Sequence, residues 1–259
     1  MCIRDRARID AFYLHDLDNA IALLEDVQTW PSQTPANKAD AKLDLGDFYL
    51  LKGEVWEASL LYSQVDKTMR DAPLGEMARF KNAKLSYYKG DFFWAQAQLD
   101  VLKASTTELV ANDALNLSVF ITENLGLDSV LAPMEMFARA DLLAYQNRNE
   151  EAFTVLDTLK NIFPNHMLTD DILYLEAILY MEARQFDSAV VALTEIKDVY
   201  TYDILADDAI FKLAGIYEEQ YGDKEKAKEL YQTIILDFKD SIYVTEARKR
   251  FRKLRGDNL

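Results

Sequence analysis

Glycine and proline are scarce, at 8 and 5 in 259 residues. A sheet protein needs such residues for its tight turns, so their scarcity argues against a turn-rich β fold and suits long helices with short connections. Cysteine occurs once, at Cys2, and no internal disulfide can form. The two histidines, His15 and His166, lie far apart in sequence. There is no Cys–His pair for nucleophilic catalysis, no histidine cluster for a metal, and no glycine-rich loop to cradle phosphate. Spatial pairs of carboxylates stay open, because a sequence does not show them. No apolar run approaches the roughly 18 residues that span a bilayer. Basic residues are outnumbered 29 to 44, and the net charge of −15 repels nucleic-acid phosphate and anionic lipid. These absences point away from an enzyme, a cofactor, a metal site, a nucleic-acid partner and a membrane span.

What remains is half apolar, ample for a packed core. Its order is periodic. Ala20, Ala58, Ala95, Ala152, Ala189 and Ala227 are spaced by 38, 37, 57, 37 and 38 residues. The long gap is one period plus about 20 residues, and a fixed period in this range predicts stacked helical hairpins. One unit reads Leu45-Gly46, Tyr49, Gly53, Ala58, Tyr62, Val65. The others carry Ala83, Gly90, Ala95, Leu99 and Leu102; Ala140, Asn147, Ala152, Leu156, Leu159 and Pro164; Ala177, Tyr180, Ala189, Leu193 and Ile196; and Leu213-Ala214, Tyr217, Gly222, Ala227, Tyr231 and Ile234. A partial copy with Ala20, Leu24 and Val27 comes first. The small residue of helix A and the alanine of helix B belong where two helices approach closely.

These offsets resemble the tetratricopeptide repeat, a helix–turn–helix unit of 34 residues. The resemblance covers nearly the whole chain, with departures: alanine for glycine in most helices A, a lost tryptophan, and a period of 37–38. It implies an all-α, right-handed α-solenoid of repeat-like hairpins with a C-terminal capping helix. The boundaries expected are a non-native leader at 1–6, a partial repeat at 7–36, two repeats at 37–104, an irregular helix breaking phase at 105–132, three repeats at 133–240, and a capping helix with tail at 241–259. The leader reading rests on Met1-Cys2-Ile3-Arg4-Asp5-Arg6, which has no signal-peptide pattern and resembles a translated sequencing adapter. With no cap at the start, the chain reads as the C-terminal part of a longer array. In the long gap, Asn112-Asp113 reads as a helix start, Gly126 as its end, and the next helix as about 129–146. Thr169-Asp170-Asp171 and Asp207-Asp208 read likewise as capping residues with acids in a first turn, and not as metal ligands.

The resemblance also implies where a partner binds. Positions 5, 9 and 12 of each unit face a concave groove. They place Leu43, Phe80, Phe137, Tyr174 and Phe211 in an aromatic-rich row, beside Asp47, Lys84, Asp141 and Tyr87. Such a lining could take a peptide or protein segment, with acids selecting basic side chains; the plainer alternative is packing against neighbouring helices. Trp56 and Phe93 share one repeat position, with Trp94 beside the latter, on a possible aromatic rim. The competing class is self-association through an uncapped N-terminal face. Tyr231, Gln232, Ile235, Phe238, Ser241, Tyr243, Glu246, Ala247 and Arg248 follow a pattern similar to repeats of bacterial cell-envelope assembly lipoproteins. That resemblance points to the periplasm or outer membrane, with the cytoplasm as the alternative compartment.

Overall fold

A computed structural model describes residues 3–104, 107–125 and 130–257. Its described residues are helical with no strand, in the order α1 (Ile3–Phe12), α2 (Leu17–Thr29), α3 (Pro35–Lys52), α4 (Val55–Thr68), α5 (Pro73–Tyr88), α6 (Phe92–Leu102), α7 (Glu108–Leu125), α8 (Ala132–Tyr145), α9 (Asn149–Ile162), α10 (Thr169–Glu182), α11 (Phe186–Val199), α12 (Ala206–Glu219), α13 (Lys224–Asp237) and α14 (Val244–Arg255). From α1 to α7 and from α10 to α14 each helix packs on the next, consistent with a helical-repeat solenoid. The chain divides into two compact units, residues 1–155 and 156–259.

Small side chains set the packing. All six periodic alanines are fully buried, as are Ala83, Ala140, Ala177 and Ala214 on the A helices. Gly46 shows why size matters. A Cβ built there would stand 2.4 Å from Cε1 of Tyr62, well inside van der Waals contact. The hairpin turns repeat as well. Gly53, Gly90 and Gly222 have positive φ, and Asn147 (58°) and Arg184 (57°) occupy the same place in their hairpins. His15, at 54°, extends the series to the first hairpin. A left-handed residue is therefore what closes each A–B turn, and glycine adopts it without strain.

Helix starts differ from the sequence reading in detail. Side-chain caps come from Asp16, Thr34 and Asp223, each accepting a backbone N–H three residues on. Asp170-Asp171 and Asp207-Asp208 lie inside the first turns of α10 and α12, whose cap positions are Leu168 and Leu205. The acids there face the positive end of the helix dipole, and Asp207 accepts the Asp208 backbone N–H at 3.0 Å. Asn112-Asp113 sit within α7, because that helix begins four residues earlier at Glu108. There the Thr107 backbone and hydroxyl both donate to the Glu76 carboxylate and fix the entry. Gly126 and the start of the expected 129–146 helix lie outside the described residues.

The long gap is occupied by α7, which packs on α6 and α5, while α8 also packs on α5. The A helices α3, α5 and α8 of the first unit thus form one layer. In the second unit α10 to α14 stack in order around a core of Leu173, Leu193, Ile196, Ile210, Leu213 and Ile234. Helix α14 lays Ala247, Phe251 and Leu254 inward and keeps Arg248, Lys249, Arg252 and Lys253 exposed.

Candidate protein-interaction surfaces

The A-helix face of the first unit is largely filled by its own side chains. Asp47 of α3 accepts the Tyr62 hydroxyl at 2.6 Å and the Lys81 ammonium at 2.8 Å. One turn on in α5, Lys84 lies over the rings of Tyr88 and Tyr145, at 5.4 and 5.8 Å from their centroids. It also faces Asp141 of α8, which accepts a hydrogen bond from Tyr87. Burial pushes the Asp141 carboxyl above the usual range, against the opposing pull of Lys84 and Tyr87. Burial likewise raises the Tyr88 hydroxyl, which has no hydrogen-bond partner. The layer is closed at one end by Gln146, whose side-chain amide donates to the Leu50 carbonyl of α3 at 2.9 Å.

This arrangement changes the reading of the expected groove. Asp47, Lys84 and Asp141 are each engaged inside the layer: Asp47 with Tyr62 and Lys81, Lys84 with two tyrosine rings and the facing Asp141, and Asp141 with Tyr87. Leu43, Tyr87 and Phe137 are buried, with Phe137 packed on the Phe120 ring of α7 at 5.4 Å. The reason is tertiary: with α8 drawn onto α5 and reaching α3, inward side chains meet other helices instead of solvent. Phe80 is half-buried.

In the second unit the row is half-buried too. Phe211 stacks on Tyr243 with centroids 4.4 Å apart. The hydroxyls of Tyr174 and Tyr243 both donate to Asp208, and burial raises that carboxyl's pKa. A second cluster repeats the Asp47 device. Tyr231 of α13 donates to Glu218 of α12 at 2.8 Å, and Arg250 of α14 donates to Glu218 and Glu219 at 3.2 and 2.7 Å. In both units a helix-B tyrosine and the cation of the following helix hold one A-helix carboxylate. Sequence reasoning missed these clamps, although Tyr62 and Tyr231 each stand four residues after a periodic alanine. The shallow cleft beside the second clamp is lined by Glu218, Glu219, Glu246, Lys249, Arg250 and Lys253, largely paired among themselves.

The aromatic rim is open. Trp56, Phe93 and Trp94 are 79%, 74% and 64% exposed, in the first turns of α4 and α6. Lys89 lies 4.3 Å above the Trp56 ring. The same repeat position holds Glu150 in α9, Asp187 in α11 and Glu225 in α13, acids that suit a helix start. Trp56 and Phe93 forgo that benefit and expose large apolar surface.

His166 is a loop residue, its Nδ1 accepting the Leu168 N–H at 3.2 Å. Among the described residues no group of three or more His, Cys, Asp or Glu side chains could hold a metal, and no helix is long and apolar enough to cross a membrane.

Residues 208–241, from the first turn of α12 through α13, match the family model described as tetratricopeptide repeat. No curated protein matches the chain significantly.

Proposed function

From the premise that this chain carries a tetratricopeptide repeat, a protein–protein interaction scaffold, we propose that it works without catalysis and holds a protein partner at the rim formed by Trp56, Phe93 and Trp94. The observation that carries this reading is the exposure of Trp56 and Phe93 at a repeat position where other hairpins of the chain place acids, with the exposed Trp94 beside Phe93. Aromatic side chains of this kind supply much contact area at low entropic cost and anchor interfaces. Of the expected groove row, Phe80 in the first unit and Tyr174 and Phe211 in the second stay half-buried, and each unit's part is a second candidate surface on its own. Self-association is the competing reading, favoured by the exposed Ile9, Phe12, Tyr13 and Leu14 at α1. The cell-envelope setting rests on the sequence pattern at 231–248 alone.

Affinity capture with wild type, a Trp56→Ala/Phe93→Ala/Trp94→Ala variant and a Phe80→Ala/Tyr174→Ala/Phe211→Ala variant separates these readings. The rim is supported by a partner lost only in the first variant. A partner list unchanged by that variant removes it. Light scattering across concentration tests self-association.

A further inference from the structure

Resting on the rim reading, we infer that the occupant is an amphipathic helix carrying lysine or arginine beside its apolar stripe. Each part of the rim heads an exposed apolar stripe on its own helix. Leu60 follows Trp56 by one turn on α4, and Val101 follows Phe93 by two turns on α6; both are more than half exposed. Helices α4 and α6 both pack on α5, so the two stripes belong to successive hairpins. From Phe93 to Val101 the stripe runs for about 12 Å at the α-helical rise. It therefore suits two to three turns of a partner.

The chemistry of the surface selects the partner's backbone and its charge. An extended peptide draws its affinity from main-chain hydrogen bonds to a strand edge. No strand exists among the described residues, and the backbone groups in the bodies of α4 and α6 are satisfied within those helices. A helix brings its own backbone already satisfied and offers only side chains, so it fits a surface made of helix faces. The charge follows from the frame. Glu57 and Asp91 are exposed at the two helix starts and make no ion pair among the described residues. Lys89 over Trp56 shows within the chain the contact that a partner's cation would make on Phe93 or Trp94. An acidic or neutral helix would meet unpaired carboxylates and gain nothing from the ring faces.

The probe is a capped peptide of about 18 residues, long enough to form a helix on contact, with a leucine stripe and lysines on its flanks. Two controls are the same peptide with glutamate for lysine and a lysine peptide with scattered leucines. Titration followed by circular dichroism and calorimetry should show helix formation with the first peptide. Affinity should fall at least tenfold with the glutamate peptide and at least tenfold in Trp56→Ala/Phe93→Ala/Trp94→Ala. In Glu57→Gln/Asp91→Asn it should fall severalfold, with a weaker salt dependence. Should the triple variant misfold, Phe93→Glu replaces it, since that acid already occupies the matching place in other hairpins.

Equal binding of the glutamate peptide overturns the charge assignment, and equal binding of the scattered peptide overturns the helix assignment. A wild-type dimer that the triple variant abolishes makes a second copy the occupant and overturns the inference. If capture still depends on the rim while the lysine peptide does not bind, the inference falls and the rim reading stands. If capture is indifferent to the rim, both fall.

Discussion

Gly46→Ala tests the packing logic on which the repeats depend. The added methyl would stand 2.4, 2.9 and 3.0 Å from three ring atoms of Tyr62. That ring cannot simply move away. It is buried, and its hydroxyl is held by Asp47 at 2.6 Å. Forcing a methyl into such a site costs about 1–3 kcal/mol, and disturbing a hydrogen bond to a carboxylate about 1.5–3 more if it breaks. Alanine returns about 1 kcal/mol of helix propensity. The expected net loss is about 1.5–5 kcal/mol if that bond breaks and up to about 2 kcal/mol if it holds. Gly215→Ala is the internal control: nothing lies within 4 Å of its added Cβ, so only the gain of about 1 kcal/mol remains. Trp30, Trp56 and Trp94 all belong to the first unit, so tryptophan emission during urea unfolding reports on Gly46. With a slope of about 2 kcal/mol per molar, its midpoint should fall by about 0.7–2.5 M if the bond breaks and by up to about 1 M if it holds. Far-ultraviolet circular dichroism follows Gly215. In a double-mutant cycle, Tyr62→Leu should relieve the clash, making the pair less damaging than the sum of its parts. An unchanged or raised midpoint for Gly46→Ala would refute the close approach of helix A and helix B.

Gly75→Ala should be worse than Gly46→Ala, with a larger fall of the urea midpoint in the same assay. Its Cβ would meet the Met69 carbonyl oxygen at 2.1 Å, a backbone atom that cannot rotate away. Arg184→Gly should stabilise the second unit by about 0.5–1 kcal/mol, since its left-handed backbone costs a non-glycine residue about 1–2 kcal/mol and glycine's unfolded-state entropy offsets part of that; a loss of stability would show that Arg184 is not strained. Tyr231→Phe should cost about 1.5–3 kcal/mol through the lost bond to Glu218, with tryptophan emission unmoved. Asp208 carries a pH dependence. Burial raises its folded pKa, so its contribution to stability is greatest in acid and falls as pH rises through that value. Asp208→Asn should therefore gain on wild type as pH rises above about 4 in paired melts, and the opposite trend would reverse the assigned cause.

The clearest signals in the sequence are local ones. Gly46 and the periodic alanines mark contacts within a single hairpin, and Gly53, Gly90 and Gly222 mark its turn; each is decided by a few neighbours along the chain. Trp56 and Phe93 were legible for a related reason, as aromatics out of place at a helix start. The clamps of Tyr62 and Tyr231 were not, because each joins three helices and a carboxylate looks the same in sequence whether solvated or held.

The sequence by itself therefore determined the hairpin, its period and its turns, since nearest-neighbour packing needs only the spacing of small and apolar residues. The tertiary structure alone decided which inward residues remain accessible. Asp47 pairs with Lys81, Lys84 faces Asp141, and Phe137 disappears under Phe120, because α8 settles on α5 and Gln146 reaches Leu50, 96 residues earlier. A helical period tells which face of a helix is apolar, but what covers that face depends on helices distant in the chain.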